Sequence, residues 1–204
     1  MDPAPPDIGT IILPDGTAIV YRPIRPVDRE ALRRFHGRHS DESIYLRFFA
    51  TQRTLGEAQA EYFTELDEVD RFALVALDPF DPNEIIGVAR FDRESGTERA
   101  EYAAIVAGPW QGRGLGLRLT WLLIDAAKRR GVTVFRAFVL PQNRRMLNLL
   151  RGLGLPETVH EEDGVDCISV DLLDDTHRAA PSHGSDGYET TAPDPIPSPG
   201  PLSG

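Results

Sequence analysis

The strongest chemical signal in this sequence is a run of nearly bare backbone. The stretch WQGRGLGLRLTWLLIDAAKRRG (110–131) places glycines at 112, 114 and 116 and passes at once into a helical pattern. A glycine turn that opens a helix presents several N–H groups and the positive end of the helix, which together suit an anion, most often a phosphate. The pattern alone also fits a tight strand-to-helix turn that binds nothing. Two nucleotide-binding motifs fail here. The Walker pattern needs a lysine where none occurs before Lys128, and the dinucleotide fingerprint needs glycines where Leu117 and Leu119 stand. What remains is Q-x-x-G-x-G, formed by Gln111, Gly112, Arg113, Gly114, Leu115 and Gly116.

Other residues of chemical interest surround this turn. Glu101 lies ten residues before the loop, in a run with strand character, and alternation groups it with Ala103 and Ile105. It is either a carboxylate available to take a proton or a strand-end charge that is exposed or paired with Arg90 or Arg99. Asn143 precedes a short helical pattern and fits both a ligand contact and an N-cap. Arg113 and Arg118 fit both anion contacts and solvated surface charges. His36 and His39 sit three apart, but no third ligand accompanies them, so no metal site is expected. Cys167, the only cysteine, reads as a buried inert thiol.

These residues need elements to hold them in place. GTIILPDGTAIVYRPI reads as two strands turning at Pro14-Asp15-Gly16. Asp28 is placed to cap a helix carrying Leu32 and Phe35, and Ser40 to cap a short helix through SIYLRFF. Thr54 and Glu57 suggest a capping box, followed by Ala58, Tyr62 and Leu66 at helical spacing. Three strand patterns come next, at 71–77, 85–91 and 99–107. After the glycine turn, Leu115, Leu119, Leu122 and Ala126 share one helical face. A strand at 134–140, a helix from Asn143 ended by Gly152 and Gly154, and a hairpin around Asp163-Gly164 complete the order. The resulting fold class is α+β, with a mixed, mostly antiparallel central sheet flanked by helices.

QGRGLG resembles the pyrophosphate loop of the GNAT superfamily of acyl-CoA-dependent N-acyltransferases, and NRRMLNLLRGLGL resembles that family's second coenzyme-contacting region. The resemblance runs over roughly residues 20–172. RPIRPVDREALRRFHGRHSDESIYLRFF and RAEYAAIVAGPWQGRGLG are similar to the GNAT domain of bacterial Pat-type protein lysine acetyltransferases, which act on acyl-CoA synthetases. The resemblance implies that acetyl-CoA is the co-substrate and that the backbone amides of 111–116 hold its pyrophosphate. It implies that Glu101, in AEYA, is the general base. It also implies that the main chain at Ile105 and Val106, where the strand parts from its neighbour, binds the pantetheine and the acyl oxygen, and that Asn143 contacts the cofactor. Many members carry a tyrosine that protonates the departing thiolate. The aligned position here is Leu150, and no tyrosine occurs from 143 to 155, so no general acid is assigned.

The implied activity is acetyl transfer from acetyl-CoA to an amine, foremost a protein lysine. The alternatives are a small-molecule amine or amino-acid acetyltransferase and a non-catalytic acyl-CoA sensor. With 204 residues and a net charge of −10, the chain suits one domain and not general nucleic-acid binding. No apolar run is long enough to span a bilayer. One cysteine and no signal-peptide pattern point to the cytoplasm. Residues 1–8 and the Pro/Gly/Ser-rich segment 174–204 are expected to be disordered, leaving 9–173 as the domain.

Overall fold

The computed structural model describes residues 7–40 and 54–173. The helix expected after Ser40, with its aromatics Tyr45, Phe48 and Phe49, lies outside the described residues, as does the segment from 174 onward. Eight strands form one sheet in the order β1-β2-β3-β4-β5-β6-β8-β7. They are β1 (Gly9–Ile12), β2 (Ala18–Pro23), β3 (Arg71–Leu77), β4 (Ile85–Arg93), β5 (Arg99–Val106), β6 (Val134–Val139), β7 (Glu157–Glu162) and β8 (Val165–Asp171). Only β5 and β6 run parallel. They are joined through the crossover helix α3 (Leu115–Arg129), as a parallel pair requires. The other helices described are α1 (Arg29–Gly37), α2 (Glu57–Thr64) and α4 (Arg144–Arg151). None of the described helices is long and apolar enough to cross a membrane.

The central strands are apolar at nearly every position because both faces of the sheet are covered. Along β3, Phe72, Leu74 and Ala76 join a core beneath α3 that includes Leu115, Leu119, Leu123 and Ile124. Ala73, Val75 and Leu77 face the other way, onto Leu32 and Phe35 of α1 and Ala60 of α2. In β5 the same alternation sends Ala100, Tyr102 and Ala104 into the α3 core. Glu101, Ala103 and Ile105 therefore share the opposite face, as the sequence pattern indicates.

Two helix starts differ from the sequence reading. Asp28 precedes α1 without capping it. Its carboxylate instead accepts two bonds of 2.7 Å from Arg22 and one of 2.8 Å from the Arg25 N–H, since a guanidinium offers a charged fork that a helix end does not. The helix α2 begins at Glu57 with Gly56 as its cap residue and no side-chain cap bond, so Thr54 forms no capping box. Its buried positions are Ala60 and Thr64, while Tyr62 is exposed and Leu66 lies beyond the helix end. The buried face therefore runs through Ala60 and Thr64, and Ala60 joins the cluster that holds Leu32 and Phe35 of α1.

Candidate active site

The glycine turn follows β5 directly. Gly112 and Gly114 take φ of +73° and +83°, a region that a side chain makes costly. A Cβ at Gly112 would meet no protein atom within 4 Å, and the residue lines the cleft. Gly116 is glycine for a different reason. A Cβ there would lie 3.1 Å from Leu149 and 3.5 Å from Val106, where α4, α3 and β5 converge. The first intrahelical bond of α3 runs from the Arg118 N–H to the Gly114 carbonyl at 3.1 Å. The amides of Leu115, Gly116 and Leu117 therefore have no acceptor within the helix, and they form its positive end. The Leu115 side chain itself is buried in the core.

The flanking side chains divide. Gln111 donates to the Val106 carbonyl at 2.7 Å and so fastens the turn to the end of β5. Arg113, a candidate phosphate contact by sequence, is held elsewhere. It pairs with Asp15 of the first hairpin, donates to Thr17 at 3.2 Å and lies 4.4 Å over the Trp110 ring. The Arg113 guanidinium, aided by Thr17, holds the Asp15 carboxyl well below the usual carboxylate range. Arg118 is exposed and is not part of the cleft wall.

The cleft exists because β5 and β6 part. They pair only at Arg99–Val134, Ala100–Phe135 and Glu101–Arg136, although both strands continue. A row of rings secures the closed end: Phe91 lies 6.0 Å from Phe135, and Tyr102 stacks on Phe135 at 5.3 Å. Beyond it a cavity of about 880 Å³ extends from Glu101 to the glycine turn, with α4 along one side. That volume suits a cofactor-sized ligand. The Ala107 N–H bonds the Ile86 carbonyl, which sets the phase of the antiparallel β4–β5 ladder. By that phase Ile105 turns its main-chain groups to β4, and Ala104 and Val106 turn theirs to the gap.

Glu101 is exposed on the cleft wall and has no hydrogen bond or ion pair among the described residues. Its direct cross-strand neighbour is Asp92. The two carboxylates are treated oppositely. Asp92 accepts bonds of 3.1 and 2.8 Å from Arg90 and lies 3.4 Å from Arg71. Arg90 is buried and sits 4.5 Å over the Phe63 ring, while Arg71 sits 3.8 Å over Tyr62. With both arginines turned to Asp92, the Glu101 oxygens remain available to a proton donor in the cleft.

Asn143 lines the cleft and caps α4, its side chain accepting from the Met146 N–H at 3.1 Å. Sequence reasoning passed over Arg145, an exposed cation on the same wall. The signal was a basic pair in the first turn of a helix, where the dipole disfavours cations unless an anion is also present. Arg145→Ala is expected to weaken coenzyme A binding about tenfold in calorimetric titration, as loss of one charge-assisted contact does. The difference should shrink at high salt. Leu150, at the position where a tyrosine would supply an acid, is buried in the core. Tyr102 also has its proton committed. Thr120 donates to the Gly116 carbonyl at 2.7 Å, so the 2.8 Å contact between Tyr102 and Thr120 must be donated by Tyr102.

His39 Nδ1 lies 2.7 Å from the Phe35 carbonyl, and no group of three His, Cys, Asp or Glu residues stands together among the described residues. Burial pushes the His39 imidazole below its ordinary pKa. The unfolded chain then binds more protons than the folded one as pH falls through about 6.5. Stability should therefore decline on acidification through this window, by up to about 1.4 kcal/mol per pH unit. Urea unfolding at pH 7.5 and 5.5 should show a smaller decline in His39→Gln than in the parent. Cys167 is buried, with Arg136 Nη2 3.4 Å from its sulfur.

A splayed parallel pair, a glycine turn at its mouth and a glutamate without a side-chain partner among the described residues at its closed end bound one cleft. The profile of the acetyltransferase (GNAT) domain family matches residues 19–156. The chain belongs to the GNAT family. It is 35% identical over 162 residues to acetyltransferase Pat of Mycolicibacterium smegmatis, a match covering 77% of this chain and 46% of that one. An acetyltransferase of Pseudomonas aeruginosa is 29% identical over 158 residues, with 76% and 84% of the two chains covered. Among solved structures, the GNAT domain of S. lividans PAT aligns with a TM-score of 0.75 and 34% identity over 80% of this chain and 96% of that one. A Salmonella typhimurium protein solved with acetyl-CoA shares the fold at a TM-score of 0.60 and 20% identity, over 76% of this chain and 95% of that one. The match spans less than half the length of the Pat relative.

Proposed function

We propose that this GNAT domain transfers the acetyl group of acetyl-CoA to an amine, with a protein lysine as the acceptor. The observation that carries the reading is the position of Glu101, unpaired among the described residues and exposed at the closed end of a cleft whose mouth is a helix-opening glycine turn. The residues present fit acetyl-CoA. The left-handed Gly112 and Gly114 leave two positions of the loop without side chains, and the amides of Leu115, Gly116 and Leu117 offer donors for the diphosphate. Arg145 and Asn143 stand on the opposite wall to add polar contacts.

Acetyl-CoA supplies an activated thioester carbon. A lysine amine, with an ordinary pKa near 10.4, must first lose a proton to attack it. Glu101 takes that proton, directly or through one water. The N–H groups of Ala104 and Val106, directed to the gap, hold the negative charge that develops on the thioester oxygen; a donor so placed contributes roughly 3 kcal/mol. That role passes to Ala104 and Val106 because the Ile105 amide is engaged with β4. Ile105 contributes its side chain to the cleft wall. Tyr102 and Thr120 keep the start of α3 in place against β5.

The protein-lysine acceptor is supported by the similarity to acetyltransferase Pat and to the S. lividans PAT domain. Incubation with radiolabelled acetyl-CoA and a lysate of the source organism tests it. Labelled protein bands are expected, and label confined to small molecules would reassign the enzyme to a small amine. Lys128, the sole lysine, lets Lys128→Arg remove self-labelling from the readout.

A further inference from the structure

We propose that Asp15, at the tip of the first hairpin, is a positioning residue for the coenzyme: through Arg113 it holds the glycine turn in the conformation that takes the diphosphate. This rests on the acyl-transfer reading above. Neither Asp15 nor Arg113 belongs to the cleft wall. They meet on its outer side. Arg113 pairs with the Asp15 carboxylate and donates to the Thr17 hydroxyl at 3.2 Å. Its guanidinium lies 4.4 Å over the ring of Trp110, which is buried in the same core as Leu13. A Cβ at Gly114 would come within 3.9 Å of the Pro14 ring. The hairpin tip is closed by its own bonds. Asp15 Oδ1 accepts from the Thr17 N–H at 3.0 Å, the Leu13 N–H donates to the Thr17 carbonyl and the Gly16 N–H to the Leu13 carbonyl, the last two at 2.9 Å.

The turn needs such a hold. Arg113 stands between two glycines in the left-handed region, and glycine loses more conformational freedom on ordering than any other residue. A loop that reaches its binding conformation only part of the time lowers the apparent affinity by that fraction, and a restraint applied beforehand restores it. Gln111 fastens the start of the turn to the end of β5. From 112 to 114 the one side chain that another element can grip is Arg113, and the first hairpin grips it. The sign of the effect is diagnostic. Asp15 brings a negative charge to a turn that holds an anion, so bare electrostatics makes Asp15 unfavourable to the coenzyme, whereas positioning makes it favourable.

Calorimetric titration of the full chain with acetyl-CoA, and with S-acetylpantetheine as a thioester that lacks the diphosphate, tests this. Asp15→Asn keeps the oxygen that accepts from Thr17 and turns an amide NH2 toward Arg113, which breaks the grip and leaves the hairpin closed. It should weaken acetyl-CoA binding about fivefold, the upper range for an exposed ion pair. Arg113→Met, which keeps an apolar stem over Trp110, should weaken it equally, and the double variant no further. Thr17→Val, which removes the other acceptor of Arg113 without changing charge, should give a smaller loss of about twofold. Affinity for S-acetylpantetheine should be the same in every variant as in the parent, because only the diphosphate uses the turn. Unchanged or tighter acetyl-CoA binding in Asp15→Asn would overturn the inference, and so would additive losses in the double variant or an equal loss with S-acetylpantetheine. Should Asp15→Asn fail to fold, Thr17→Val decides by the same two titrations. Absence of heat when acetyl-CoA is added to the parent would instead remove the acyl-transfer reading on which the inference stands.

Discussion

Glu101→Gln should lower kcat about 100- to 1,000-fold at pH 7.5, within the range a positioned general base contributes. Acetyl-CoA affinity should stay within about twofold by calorimetry. The substitution keeps shape and removes basicity. Because Glu101 has no partner among the described residues, its loss leaves no buried charge behind, and the thermal midpoint should hardly move. Asp92→Asn makes the contrast. Asp92 lies directly across the ladder but neutralises Arg90 and Arg71, so its loss should show as destabilisation more than as a uniform loss of rate. A Glu101→Gln enzyme as fast as the parent would leave the cleft without its base. It would favour the reading of the domain as a sensor that binds acyl-CoA without turning it over.

Gly112→Ala should raise the dissociation constant for acetyl-CoA about 100-fold. Two effects combine. The left-handed backbone costs an alanine roughly 1–2 kcal/mol, and the new methyl adds bulk to the turn proposed to hold the diphosphate. Gly131 separates these effects. It has φ of +76° and open space around its absent Cβ, but stands at the far end of α3, outside the cleft. Gly131→Ala should lose similar stability in urea unfolding and keep acetyl-CoA affinity. Equal binding by the Gly112→Ala protein and the parent would remove the diphosphate from this turn.

Much of the fold was legible because the local signals agreed. β3 was read at its observed limits, the Asp15-Gly16 and Asp163-Gly164 hairpins follow their turn residues, and Asn143 caps α4. Failures came where a side chain had a better partner than its own helix, as with Asp28 and Arg22, or where burial chose the face, as with Ala60 over Tyr62. The site divides along the same line. Gln111 and the three glycines were visible because backbone conformation restricts residue type directly. The pairing of Arg113 with Asp15, 98 residues away in sequence, is a contact that no local pattern encodes. Arg145 was passed over because the helix that carries it faces the cleft only after packing against Gly116.

By itself the sequence determined the order of elements, the bare turn ahead of α3 and the strand that carries Glu101, since each depends on residues within a few positions of one another. Only the tertiary structure decided that β5 and β6 pair at three positions and then part, that Arg90 and Arg71 both turn to Asp92, and that Ala104 and Val106 face the gap. Those outcomes are settled by competition among groups distant in the chain for the same charges, hydrogen bonds and space, and no local pattern encodes which of them prevails.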